Sequence, residues 1–368
     1  MRKRVPAVRA ACAAGVVVLA VLLLRHALAG VDPRATLRAV EAAGPWAPLA
    51  LLPFVVTTTL DATGMRILLG TLGRSVPLAR LLPIRIGTEA LHLTAPAGFV
   101  VADSATAALL DSRCGVPLGE GAVLAVARKW LVMRAHATYI VLGASCGAGL
   151  LAAVSAHVFG NGWLPWGVAA SALAPLGLSL GLGTQFRGRP SFERLYAAIG
   201  RVPWAAARAW VARSRSGAAK VDGHLSRIGA ARAATWLATA SFLGAWLFEA
   251  VETCLLVRLV GGPLDLGFAM AVEVGISLVR SVANVAPAGL GVQDAGYALL
   301  LQAMGLPAQT SAAFVLVKRG KEIVWIGVGY VLLAAMRGPS ARLAPIEPVA
   351  PVVTMAEAAS ARLVRRVA

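Results

Sequence analysis

Apolar stretches long enough to cross a lipid bilayer recur from one end of this chain to the other, at about 8–29, 46–72, 120–153, 161–184, 234–260, 264–285 and 308–336. Hydrocarbon offers the backbone no hydrogen-bonding partner, so spans of this length must bond to themselves as helices. The expectation is an all-α, polytopic membrane bundle. Only 14% of the 368 residues are charged and the mean hydropathy is +0.75. The longest polar interval, Gln185–Arg232, leaves no room for a soluble domain of ordinary size.

Two Pro-Ala-Gly triplets interrupt this apolar pattern, in APAGFVVADSATAALL from Ala95 and APAGLGVQDAGYALLL from Ala286. A constant offset of 191 carries Pro96, Gly98, Val101 and Asp103 onto Pro287, Gly289, Val292 and Asp294. The register then slips by one, so that Gly115 and Pro117 meet Gly305 and Pro307, and a second slip sets Lys129 on Lys318. Proline removes an amide donor and glycine admits unusual dihedrals, so a helix is expected to open at each triplet. Opened backbone survives at membrane depth only when protein or a watered cavity covers it. Broken segments in matching halves, each followed by an acid, point to a binding site between internal repeats.

The net charge of +18 is distributed as the positive-inside rule requires, which argues against nucleic acid as a partner. Gln185–Arg232 carries ten basic residues against Glu193 and Asp222, and the N-terminus opens with Arg2, Lys3, Arg4 and Arg9. Besides setting orientation, these clusters suit anionic headgroups, and VPWAAARAWVA from Val202 suits a short interfacial helix. The first apolar run resembles a signal peptide but reads better as an uncleaved span, with the N-terminus cytoplasmic. Parity then brings Ile86–Gly119 in and out on the cytoplasmic face, as a re-entrant hairpin turning near Pro96 or as two short crossings. In the second half, counting 264–285 as a crossing and the second triplet as a hairpin would leave residue 336 outside. The tail arginines 337, 342, 362, 365 and 366 favour the inside. Either one crossing is miscounted or the second broken segment crosses fully. The chain divides into a transmembrane domain, 1–336, and a flexible tail, 337–368. Within the domain lie a first repeat core at 46–184, a basic loop at 185–232 and a second core at 234–336.

Ionisable side chains at mid-membrane cost on the order of 2.5–3.5 kcal/mol each on insertion scales, so they face protein or water. Glu89 and His92 precede the first triplet and Asp103 follows it; Glu273 and Arg280 precede the second, and Asp294 follows. Arg128, Lys129, Arg134 and His136 stud 120–153, while Lys318, Arg319, Lys321 and Glu322 stud 308–336. One reading places the repeat-matched Asp103, Asp294, Lys129 and Lys318 around a headgroup path. The other makes them packing pairs, for which Lys318 and Glu322 are suitably spaced. Glu249 and Glu252 share a helix face and need a basic partner or water. His92 and His136 lack the clustered partners a metal would need, and Cys12, Cys114, Cys146 and Cys254 form no close pair. The run GASCGAGLLAA from Gly143 reads as close helix packing. No Walker loop, dinucleotide fingerprint or nucleophile elbow appears, so neither a cofactor nor catalysis is expected.

The passage VANVAPAGLGVQDAGYALLLQAMGLP resembles the family of flippase-like membrane proteins named for the transmembrane region of lysylphosphatidylglycerol synthase. Pro287, Gly289, Leu290, Gly291 and Val292 match its Pro-x-Gly-Leu-Gly-Val signature, with Gln293 and Asp294 replacing an Arg-Glu pair. Glu89, Ala90, Leu91, His92, Pro96, Gly98 and Asp103 echo the earlier signature, with His92 in place of an Asn and Phe99 where a polar residue is common. The Gly-Val-Gln-Asp variant is similar to a hopanoid-associated branch. The resemblance implies an inner-membrane protein that translocates or handles a phospholipid or hopanoid-like lipid, with lipid-biosynthesis enzymes as possible partners. The alternative is a non-transporting accessory or scaffold of such a pathway. Aminoacyl transfer is not implied, because the synthases' soluble catalytic domain has no counterpart in these residues. An intramembrane acid–base role for Glu89, His92 or Asp103 is a third reading. On the leading reading the path comprises Glu89, His92, Pro96, Gly98, Asp103, Arg128, Lys129, Arg280, Pro287, Gly289, Gly291, Asp294, Lys318 and Glu322.

Overall fold

A computed structural model describes residues 31–41, 43–95, 97–188, 219–283 and 291–336, with the side chains of 280–283 outside that description. The first apolar run, the interfacial segment from Val202 and the tail therefore lie outside the described residues. Among the described residues the regular structure is entirely helical. A short helix, α1 (Pro33–Glu41), precedes a 3-10 turn at Gly44–Leu51 that leads into α2 (Leu52–Thr71). Then come α3 (Leu78–Thr94), α4 (Gly98–Cys114) and the long α5 (Leu118–Cys146). Helix α5 turns by 74° at Gly147 into α6 (Ala148–Phe159), which α7 (Leu164–Ser171) and α8 (Leu173–Gly183) follow. After a helical stretch at 219–230 come α9 (Arg232–Leu259), α10 (Leu266–Ala283), α11 (Val292–Ala303) and α12 (Ala308–Ala335).

Three helical segments are long and apolar enough to cross a membrane: Gly44–Thr71, Leu164–Phe186 and Arg232–Leu259. The bent pair α5–α6 adds a fourth when taken as one span. Helix α12 has the length, at 28 residues, but carries Lys318, Arg319, Lys321 and Glu322 along its middle.

The described helices before and after each triplet pack in the same order, a helix, a second helix on the first, and a long helix on the second. Helix α3 packs on α4 and α4 on α5; likewise α10 packs on α11 and α11 on α12. The halves then interlock: α3 lies against α12, α10 lies against α5, and α2 crosses α9. Glycines permit these approaches. A β-carbon on Gly329 would stand 2.6 Å from that of Ala90 on α3, and one on Gly147 would stand 2.6 Å from that of Ala271 on α10. Gly143 likewise faces Val274, so the small-residue run from Gly143 serves helix packing. Where α2 meets α9, Phe242 packs on Gly64 and the Ser241 hydroxyl donates to the Leu60 carbonyl at 2.7 Å.

The two hairpins open at opposite ends of α2. One apolar cluster joins the end of α2 (Leu69, Leu72) to the start of α3 (Leu81, Ile84) and the end of α4 (Leu110, Cys114). Met336, just past α12, packs against the same cluster. The other cluster joins Ala50, before α2, to the end of α9 (Val257, Val260), the start of α10 (Phe268, Val272), and Leu301 and Leu306 after them. Phe314, near the start of α12, belongs to that second cluster. Helix α12 thus runs the length of the bundle, whereas α10 leaves and returns to one end. Helix α11 packs on α10, and Leu266–Val279 within α10 is apolar but shorter than a full span.

Candidate functional site

Polar chemistry inside the bundle collects at two places. In the first, Asp61 on α2 accepts hydrogen bonds from Arg85 on α3 and from Arg128 on α5, the latter from Nε at 3.0 Å. Arg85 turns its other nitrogen to Glu89, one turn along α3, at 2.6 Å. Two acids and two cations therefore cancel within one cluster, which is how buried charge is tolerated away from water.

In the second, Glu252 on α9 faces Lys318 at 3.2 Å and also pairs with Lys321, both on α12. Glu273 on α10, completely buried, lies 3.6 Å from Lys318 and accepts from Thr253 at 2.5 Å and from Tyr297 at 2.8 Å. The Lys318 ammonium also stands 5.0 Å from the centre of the Tyr297 ring. This cluster too balances two acids with two cations, and it supplies the basic partner that Glu252 requires.

Beside it, Asp294 occupies the first turn of α11. One of its oxygens accepts from the Gly291 amide at 2.9 Å, and the other meets Arg319 at 2.6 Å. Arg319 bonds Glu322 at 2.5 Å, so Glu322 pairs with Arg319 and not with Lys318, whose ammonium turns toward α9 and α10. Gly291 has φ +80°, a left-handed value that its missing β-carbon makes inexpensive.

The corresponding acid of the first half behaves differently. Asp103 on α4 and Lys129 on α5 line a cavity of about 350 Å³ together with Phe99, Val100, Ser104 and Leu182. Lys129 rests over the Phe99 ring, 5.2 Å from its centre, and among the described residues it forms no ion pair.

The profile described as the lysylphosphatidylglycerol synthase TM region matches residues 11–329. The chain belongs to this family. No curated protein and no solved structure matches it. The family match runs through both hairpins and both charge clusters, so the features above lie inside the shared region of lysylphosphatidylglycerol synthase-type membrane domains. These are membrane proteins concerned with lipid.

Of the residues singled out from sequence in this family member, Glu89 and Arg128 join the first cluster and Lys318 the second. Asp294, Gly291 and Glu322 gather around Arg319, while Asp103 and Lys129 face the cavity. His92 is exposed near the end of α3. Gly98 is buried, and a β-carbon there would overlap the His92 carbonyl, so the glycine is required by close approach. The left-handed residue of the break is its neighbour Ala97, at φ +52°. Pro96, Pro287, Gly289 and the Arg280 side chain lie outside the described residues. Asp61, Arg85, Glu252, Arg319 and Lys321 were missing from the proposed path. The signal for two of them was present, since the offset of 191 that aligns the triplets also sets Asp61 on Glu252.

These contacts also fix the register of the long helices. Pro117 and Pro307 precede α5 and α12, and neither helix is interrupted at its charges. A one-residue slip inside an α-helix would rotate every later side chain by about 100°. An offset of 190 therefore persists, matching Arg128 with Lys318 and Lys129 with Arg319. The partners agree: Arg128 and Lys318 reach Asp61 and Glu252, while Arg319 pairs with Asp294 and Lys129 lines one cavity with Asp103.

Proposed function

We propose that the protein translocates an amphipathic lipid between the leaflets of a bacterial inner membrane, its headgroup passing between the two broken hairpins while the tails remain in the bilayer. The observation that carries this reading is the opposite entry of the hairpins, one foot at each end of α2, each with a charge cluster behind it. Helices α3 and α4, at 17 residues each, extend about 25 Å, short of a hydrocarbon core of about 30 Å, which suits re-entrant arms. The end bearing Arg74, Arg113 and Met336 is taken as cytoplasmic, because the basic loop and the tail arginines belong there. On this reading the chain is not itself an enzyme, its partners are phospholipids or hopanoid-like lipids, and exchange runs downhill or on a gradient.

The closed pairs around Arg319 and Lys318 favour a second reading, a non-transporting accessory of a lipid-biosynthesis pathway in which these charges only fix packing. Fluorescent-lipid exchange in proteoliposomes separates the two. Exchange well above that of protein-free vesicles is expected; exchange at the protein-free rate would leave the accessory role.

A further inference from the structure

The two halves of the chain treat the same pair of positions in opposite ways. Asp294 and Arg319 close to 2.6 Å, whereas Asp103 and Lys129 both line a cavity of about 350 Å³ and no ion pair joins them among the described residues. That size lies within the usual range of about 300–1,000 Å³ for small-molecule sites. Apart from Asp103, Ser104 and Lys129 its walls are apolar, and its rim carries Phe99 and Val100, which are 52% and 50% exposed. A carboxylate and an ammonium on an apolar wall with no ion pair between them are costly unless a ligand engages both.

We propose that this cavity binds the headgroup of a zwitterionic, amine-bearing phospholipid, with its phosphate on Lys129 and its ammonium on Asp103, and its acyl chains lying over Phe99 and Val100. Such a headgroup carries the two charges in the order that the cavity lacks them. The Phe99 ring that now holds the Lys129 ammonium at 5.2 Å offers the ligand's ammonium a second attractive surface. An anionic headgroup with no amine would satisfy Lys129 but set its phosphate near Asp103 with nothing to neutralise the carboxylate. The inference rests on reading the chain as a lipid handler and adds the headgroup class.

The test is native mass spectrometry of the purified full chain titrated with phosphatidylethanolamine and phosphatidylglycerol of identical acyl chains. The expected preference for the amine lipid is about tenfold, the size of one well-placed charge contact. Asp103→Asn should erase the preference while phosphatidylglycerol still binds, and Lys129→Gln should weaken both lipids. Ala122→Phe, at an exposed cavity-lining position of α5, should weaken both without altering charge. Equal binding of the two lipids by the native protein, or a preference that survives Asp103→Asn, would overturn the proposal. So would undiminished binding in Ala122→Phe. Competition by tail-free phosphoethanolamine at the same concentrations would overturn its commitment to a lipid. Should the charge variants fail to fold, the native preference and Ala122→Phe still decide. The assay involves no second leaflet, so a preference without lipid exchange sinks only the transport reading, and exchange without a preference sinks only this one.

Discussion

Asp61 on α2 and Glu252 on α9 occupy matching places, and each draws a cation from the long helix that completes its own half, Arg128 on α5 for one and Lys318 on α12 for the other. A buried acid that loses its charge strands its cations. Asp61→Asn should therefore destabilise the folded protein by about 3 kcal/mol, and adding Arg128→Met should recover most of that loss. Unfolding in mixed micelles measures both. A single variant as stable as the parent would show that the cluster contributes little.

The break between α3 and α4 makes opposite demands on adjacent residues. Ala97 sits in the left-handed region, where an L side chain costs roughly 1–2 kcal/mol, against roughly 0.5–1 kcal/mol for the freedom that glycine loses on folding. Ala97→Gly should be neutral or stabilise by up to about 1 kcal/mol. Gly98→Ala should cost about 1–3 kcal/mol, because its methyl would press on the His92 carbonyl. Thermal unfolding of the two variants tests the assignment, and the reverse order of stabilities would contradict it.

Gly147 and Gly149 flank the bend after α5 and differ in what they face. Nothing lies within 4 Å of a β-carbon built on Gly149, whereas one on Gly147 would be 2.6 Å from that of Ala271. Gly149→Ala, inside α6, should gain up to about 1 kcal/mol from helix propensity. Gly147→Ala should lower the melting temperature by pushing α10 away from α5. Equal melting temperatures for the two would argue against a tight crossing there.

The hairpins predict a labelling pattern. Single cysteines at Gly119 and at Gly305 replace residues in open surroundings near opposite ends of the bundle. A membrane-impermeant thiol reagent applied to intact cells should modify position 305 and spare position 119, with the reverse in inverted vesicles. Modification of both from one side would refute opposed hairpins.

Residues 264–285 show where sequence reasoning stops. Their hydropathy qualifies them as a span, since a crossing helix and a hairpin arm bury the same kinds of side chain. Only the meeting of Phe268 and Val272 with Leu301 and Leu306 shows that the start of α10 and the end of α11 share one apolar cluster. The helical breaks were legible because proline and glycine act locally. Partner choice was not: Lys318 and Glu322 have the right spacing along α12, yet Lys318 faces α9 and α10 and leaves Glu322 to Arg319. Which way a helix face turns depends on crossings such as that of Gly147 with Ala271, and one helix's own sequence does not carry them.

The paired halves also bear on what makes the two ends of the molecule differ. Interchange its two ends and α3 on α12 becomes α10 on α5, and α2 on α3 becomes α9 on α10, but the packing of α9 on α5 has no counterpart of like extent between α2 and α12. The inner frame thus carries a difference between its ends within its paired helices. Further inequality comes from parts that lack a mate: among the described residues these are α1, which packs on α12, the helical stretch at 219–230, and α6, α7 and α8, which lean on α5 beside the Lys129 cavity.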